Sequence, residues 1–223
     1  MITLSAINKS EALRYMGHKG EASTALSDIL DKCEKLVLEA VRPAYVYREV
    51  SLIHSDENIS VEGGYLYLTG KDIKRHLKGC DKAVFFAATL SSSADTLIRH
   101  LEAEDMTMAF AADALCSAAV EQVCDLAEEE IFSANSYNFH TRRYSAGYGD
   151  LPISLQNEIV TFLNAQRRIG LTVTDNFLMI PRKSVTAIIG VSDRKLQKTI
   201  GGCASCNMKN HCAFSEKNGC NRA

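Results

Sequence analysis

Between Thr24 and Ala40 the apolar residues Leu26, Ile29, Leu30, Cys33, Leu36, Val37 and Ala40 recur at steps of three and four, the stripe of one helix face. Pro43 closes that helix. A shorter one precedes it, Glu11 to Met16, with Ser10 as its N-cap and Gly17 as its stop. From Ala44 to Ile53 the period drops to two in a segment rich in Tyr and Val, which predicts a strand. Ile59 to Glu62 and Tyr65 to Thr69 flank Gly63-Gly64, the clearest hairpin signal in the chain. Lys71 to Lys78 predicts a short helix leading into Lys82 to Thr89, an apolar run of the kind a fully buried strand carries. Ser91 to Ala94 marks a loop or cap before a helix from Asp95 to Glu102.

The longest helix is predicted from Asp105 to Ser133. Between Met106 and Cys124 its formal charges are Asp113 and Glu121 alone, which places it at the buried centre of the fold. Leu115, Ala118, Ala119, Gln122, Val123 and Leu126 form the principal packing stripe, while Asp113, Ser117, Glu121 and Cys124 fall on another face. That second strip is either a narrow solvated face or the lining of a polar pocket. In a pocket, Glu121 would need a cationic ligand or a nearby arginine, because a carboxylate buried unpaired is costly. Asn138 to Tyr144 predicts a strand, followed by a loop to Pro152, a helix from Ser154 to Arg168, and strands near Asn176 to Ile180 and Ser184 to Val191. Helices mixed with hairpin-linked strands predict an α/β domain of the α+β type, its largely antiparallel sheet flanked by helices. No Gly-rich loop follows a strand, which excludes Rossmann and P-loop readings.

Composition adds limits. The 223 residues are 46% apolar and 23% charged with a net charge of −2, so no broad basic surface invites nucleic acid or an anionic membrane. The apolar runs are too short to span a bilayer, and the N-terminus lacks the layout of a secretion signal. A cytoplasmic location follows, where thiols stay reduced. The eight cysteines then divide. Cys33, Cys80, Cys116 and Cys124 sit in apolar contexts and are expected to be small core residues. Cys203-x2-Cys206-x5-Cys212-x7-Cys220 crowd into the end of the chain and divide it into a body, 1–200, and a cysteine-rich tail, 201–223. Four clustered thiolates suit a structural zinc, for which Cys-x2-Cys is half of the usual spacing, or an iron–sulfur cluster, although the x5 and x7 gaps match no standard ferredoxin run. A tail without metal is the third reading. His211 is a possible substitute ligand; His140 and the other histidines are isolated and read as structural.

Arg142-Arg143-Tyr144-Ser145-Ala146-Gly147-Tyr148 offers a guanidinium for a carboxylate, a glycine where backbone can approach closely, and an aromatic face. An arginine pair beside a surface turn satisfies the same residues.

The pattern Arg143-x-x-x-Gly147-Tyr148, with Pro152 following, resembles the S-adenosylmethionine-binding segment of the C-terminal activation domain of cobalamin-dependent methionine synthase. The run Gly170-Leu-Thr-Val-Thr174-Asp175-Asn-Phe177-Leu-Met179-Ile-Pro181-Arg-Lys-Ser184-Val185-Thr186 is similar to that family's Gly-x-x-Leu-Thr-Glu-Ser-Phe-x-Met-x-Pro-x-x-Ser-Val-Ser, with spacing kept throughout. Residues 114–121 resemble the family helix whose glutamate faces the ligand, and residues 13–20 look like the opening of free-standing relatives. The resemblance is good from about Asp105 to Ser192. It implies one C-shaped domain with a twisted sheet, and a task of reactivation: S-adenosylmethionine serves as methyl donor for the reductive methylation of cob(II)alamin. By the same resemblance Arg143 binds the ligand carboxylate, Glu121 lies near its positive charge, backbone groups at Ser145 and Gly147 hold it, and Tyr148 packs beside it. The homocysteine, folate and cobalamin modules have no counterpart here, so the implied partners are a separate cobalamin-binding methionine synthase chain and an electron donor. An iron–sulfur cluster on the four tail cysteines could deliver that electron. The second possibility is a non-catalytic adaptor, or a reactivator of another corrinoid methyltransferase, whose tail metal is structural. Two departures stand out: the family's prolines around Gly147 are Tyr144 and Ala146, and a tyrosine expected after the Ser-Val-Thr strand has no match.

Overall fold

The computed structural model describes residues 2–196 except 21, 65 and 136. Cys203, Cys206, Cys212 and Cys220, and the boundary expected at residue 200, lie outside the described residues.

Helix α1 (Lys9–Tyr15) and helix α2 (Thr24–Ala40) come first. The cap of α1 is Asn8, not Ser10: the Asn8 side chain accepts the Glu11 amide at 3.1 Å. Ser23 does the same for α2 at 3.3 Å. Strand β1 (Ala44–His54), the β2 (Ile59–Val61) and β3 (Tyr67–Leu68) hairpin, helix α3 (Lys71–His76) and strand β4 (Lys82–Thr89) follow as predicted, with β2, β3 and α3 shorter at their ends and β1 one residue longer. Helix α4 (Ser92–Glu104) begins a turn earlier than expected, and Asp95 in its first turn accepts the Arg182 amide at 2.9 Å. Asp105 caps helix α5 (Met106–Asn135) by accepting the amides of Thr107 and Met108.

Past α5 the sequence reading was less accurate. Strand β5 covers only Phe139–His140, and Tyr144 adds an isolated bridge to Ile188. The helix predicted from Ser154 to Arg168 is two: α6 (Leu155–Phe162) and α7 (Ala165–Ile169). Asn164 separates them in the left-handed region, φ 51°, which asparagine tolerates better than most residues. Strand β7 is short (Met179–Ile180) and pairs with an unforeseen β6 (Thr172–Val173) as a separate hairpin, closed where Thr174 N–H donates to Leu178 O. Strand β8 (Ser184–Ser192) ends the described chain's regular structure.

The main sheet has the order β3-β2-β1-β4-β8-β5, and each of its pairs is antiparallel. Its central strands are buried on both faces, which is why β4 reads as an unbroken apolar run. Val84, Phe86 and Ala88 join one core with Ala187, Ile189 and the helices α2, α4 and α5. Ala83, Phe85 and Ala87 join a second with Ile188, α3 and α6. The buried line of α5 runs through Val123, Ala127 and Ile131. Two members of the predicted stripe therefore differ: Leu126 is 39% exposed, and Gln122 bonds the Asn8 amide and Ala6 carbonyl instead of packing. The four body cysteines are buried free thiols, as expected. Burial pushes the Cys33 and Cys80 thiols up to about 11 and Cys116 to about 12, which disfavours the reactive thiolate.

Gly190 shows how tightly β8 meets the segment that follows α3. A Cβ there would lie 2.6 Å from Cys80 Sγ and 2.8 Å from Leu77 Cδ2. Gly190→Ala is expected to lower stability by about 2 kcal/mol through overpacking, read as a lower denaturant midpoint with an unchanged slope.

Candidate ligand site

The outer face of α5 meets two cations, Lys183 just before β8 and Arg143 in the segment after β5. Lys183 bridges Asp113 Oδ1 at 2.8 Å and donates to the Asp113 carbonyl at 3.0 Å and to Ser117 Oγ at 2.8 Å. One turn further along, Arg143 reaches three carboxylates of α5. Its Nη2 lies 2.7 Å from Asp125 and 3.3 Å from Glu121, and its Nη1 donates to Glu128. Cys124 lies buried beneath. The strip Asp113, Ser117, Glu121 and Cys124 is therefore no freely solvated face, and the arginine that Glu121 needed is Arg143.

One guanidinium meets three carboxylates here, so this face of α5 is rich in acidic groups and suited to a cationic group. Burial works against the Arg143 charge, but Glu128 and Asp125 outweigh it and raise its pKa above the ordinary range. Burial raises the Glu128 carboxyl despite the pull of Arg143 and His140. Asp125 and Glu128 escaped the sequence reading, although their steps of four and three from Glu121 put them on its face.

Other members of the predicted site face elsewhere. Successive residues of an extended segment point to opposite sides. Arg143 turns to α5, while the Tyr144 ring packs against His76 of α3 at 4.8 Å. Tyr148 meets Tyr144 edge-on at 5.9 Å and is 53% exposed. The loop between them is a closed turn: Tyr148 N–H donates to Ser145 O, Gly147 N–H donates to Leu151 O, and Tyr144 Oη donates to Tyr148 O. Gly147 holds φ +85°, so the turn favours glycine, and a Cβ there would lie 3.0 Å from Ile153 Cδ1, which would have to shift by a few tenths of an ångström. Asp150 locks the loop to α3 by accepting the amides of Lys71 and Asp72 at 2.6 and 3.0 Å. Burial raises the Asp150 pKa, and those two bonds overcome it to hold the carboxyl below its usual range.

His140 stacks on Phe132 with centroids 4.1 Å apart, consistent with a structural role. Among the described residues no group of three or more His, Cys, Asp or Glu is arranged to hold a metal, and no helix is long and apolar enough to cross a membrane.

Residues 73–212, more than half of the chain, match the family profile described as vitamin B12 dependent methionine synthase, activation domain. The chain belongs to that family. No curated protein sequence matches it. Among solved structures it resembles the MetH reactivation domain, crystallised bound to AdoHcy, with a TM-score of 0.59 and 17% identity over 86% of this chain and 69% of that one. At that identity the likeness concerns the fold: a single mixed α/β domain whose largely antiparallel sheet is flanked by helices. In this activation-domain relative the two resembling segments converge on β8. Ser184 to Thr186 open that strand, and Tyr144 bridges to its Ile188. The Ser184 hydroxyl donates to Thr89 Oγ1 at 2.8 Å or to the Pro181 carbonyl at 2.7 Å, across the cis Ile180-Pro181 bond.

Proposed function

We propose that this chain reactivates a cobalamin-dependent methionine synthase, binding S-adenosylmethionine as methyl donor for the reductive methylation of cob(II)alamin carried by a separate chain. The observation that supports it is the convergence of Glu121 and Arg143 in a member of this family. An amino-acid ligand presents a carboxylate and an ammonium together, and S-adenosylmethionine adds a sulfonium. Arg143 can take the carboxylate in a fork, and the neighbouring carboxylates suit the two cationic centres. The ligand, when bound, supplies the methyl group and leaves as a neutral thioether, while the electron comes from a separate donor. Of the chain's own residues, Arg143 and Glu121 orient and hold the ligand by charge, whereas Ser145, Gly147 and Tyr148, which the resemblance also assigns to the ligand, are engaged in the closed turn away from that pair.

The separate-partner reading rests on the likeness of residues 13–20 to free-standing relatives. Calorimetry with S-adenosylmethionine tests the core of the proposal, and undetectable binding at millimolar ligand would remove it. Added to an oxidised cobalamin-bearing methionine synthase with a reductant, the chain should restore activity. A second reading, a non-catalytic adaptor that docks on a corrinoid protein, is favoured by the closed turn at Gly147, whose amide already serves Leu151. It predicts partner binding with no methyl transfer.

The proposal extends to Cys203, Cys206, Cys212 and Cys220, read as a tail cluster of iron and sulfur that passes the electron. Protein purified without oxygen should then be brown and bleach with dithionite. Replacing Cys203 and Cys206 by serine should remove the colour and leave S-adenosylmethionine binding intact, since the ligand residues lie on the body. A colourless protein carrying zinc would make the tail structural.

A further inference from the structure

We infer that Asp125 and Glu128 act as an internal latch on Arg143: they compete with an incoming ligand carboxylate for the same N–H groups, and releasing them couples ligand binding to uptake of a proton. The inference rests on the reading that Arg143 takes the carboxylate of S-adenosylmethionine, and it concerns how that site is regulated. Its basis is the geometry of the guanidinium. A bidentate fork needs two parallel N–H groups, and both terminal nitrogens are committed, Nη1 to Glu128 and Nη2 to Asp125 and Glu121. Glu121 makes the longest of these contacts and can stay beside the ligand's ammonium. The two that must yield are Asp125 and Glu128.

They do not yield alike. The Asp125 side chain is 68% exposed and returns to water at little cost. The Glu128 side chain is 19% exposed. It shares its surroundings with Asp125 and the buried Cys124 thiol on α5, and with Arg143 and His140 from the β5 side. Once Arg143 turns to a ligand, that set holds no other arginine or lysine to offset the Glu128 charge. A buried carboxylate that loses its guanidinium beside another carboxylate takes up a proton. Burial already raises the Glu128 pKa, which is the direction this exchange needs.

The test is calorimetry of the intact chain with S-adenosylmethionine, in buffers of different ionisation enthalpy and from mildly acidic to mildly alkaline pH. The expected result is uptake of up to one proton per ligand and affinity that rises as pH falls. Glu128→Gln should bind about tenfold more tightly at the alkaline end, because one charge-assisted bond no longer has to be broken, and its proton uptake should vanish. Asp125→Asn should tighten binding by less and keep the proton uptake, and it carries the test if Glu128→Gln unfolds. Thermal unfolding of each variant shows whether it is folded. If the wild type binds and a folded Glu128→Gln binds equally or more weakly, or takes up the same proton, the latch is overturned while the functional reading stands. If neither protein binds at any pH, the functional reading falls and the latch falls with it.

Discussion

Arg143→Ala is expected to lose both ligand and stability. Removing a bidentate charged contact costs about 1.5–3 kcal/mol, so affinity for S-adenosylmethionine should fall about tenfold to a hundredfold in calorimetry. The same change leaves Glu121, Asp125 and Glu128 crowded on one helix face without their shared cation. Breaking a fully buried ion pair costs about 3–5 kcal/mol, whereas exposed pairs contribute little. Arg143 is mostly buried but Asp125 is not, so a loss of about 2 kcal/mol is expected in denaturant unfolding. Arg143→Lys separates the two roles. It keeps a cation among the carboxylates but has no planar fork, so it should recover most of the stability and little of the affinity. If Arg143→Lys binds as well as the wild type, Arg143 is a structural clamp and not a ligand residue.

Acid is expected to weaken the fold through His76. This residue lies in α3, nearly buried, with its Nε2–H donating to the Arg142 carbonyl at 2.9 Å and its ring against Tyr144. Burial, aided by the Arg142 charge and opposed by that hydrogen bond, lowers its pKa from 6.5 to about 4. The folded state therefore binds the proton less readily than the unfolded chain. The stabilisation is complete above pH 6.5 and is lost as the pH falls toward 4, with no further loss below that value. At one decade per 1.36 kcal/mol the loss approaches about 3 kcal/mol. His76→Gln keeps a donor for Arg142 and removes the titration. The stability difference between wild type and variant should shift by that amount across this pH window, whereas a constant difference would show that His76 does not titrate with folding. Because His76 holds the carbonyl of the residue next to Arg143, ligand affinity should decline over the same range. The latch on Glu128 works in the opposite direction, so Glu128→Gln in the His76→Gln background separates the two.

Some of this architecture was legible because the signal is local. The apolar stripe from Leu26 to Ala40, the Gly63-Gly64 turn and the unbroken run from Lys82 to Thr89 each encode one element within a few residues, and the structure has these elements there. The split of Ser154 to Arg168 was not legible. It depends on Asn164 entering the left-handed region, and no apolar period records that. Ser10 and Asn8 are equally good caps by type, and which one serves is decided by where the chain enters the helix, itself held by Gln122 from over a hundred residues away.

For the candidate site the division is sharper. The amino-acid sequence alone determined which chemistries were present: a glutamate within the apolar stretch of a long helix, an arginine before a glycine turn, a thiol-rich tail, and a spaced pattern that resembles one family. Residue type and local spacing carry that information without any fold. Only the tertiary structure decided that Arg143 meets Glu121, that Asp125 and Glu128 share it, and that Tyr148 turns to the α3 side instead. Those facts follow from how β5 and its following segment lie across β8 and against α5, 15 to 22 residues away in sequence. A contact between such elements depends on the register of a sheet and the rotation of a helix, and neither is written in the residues that finally touch.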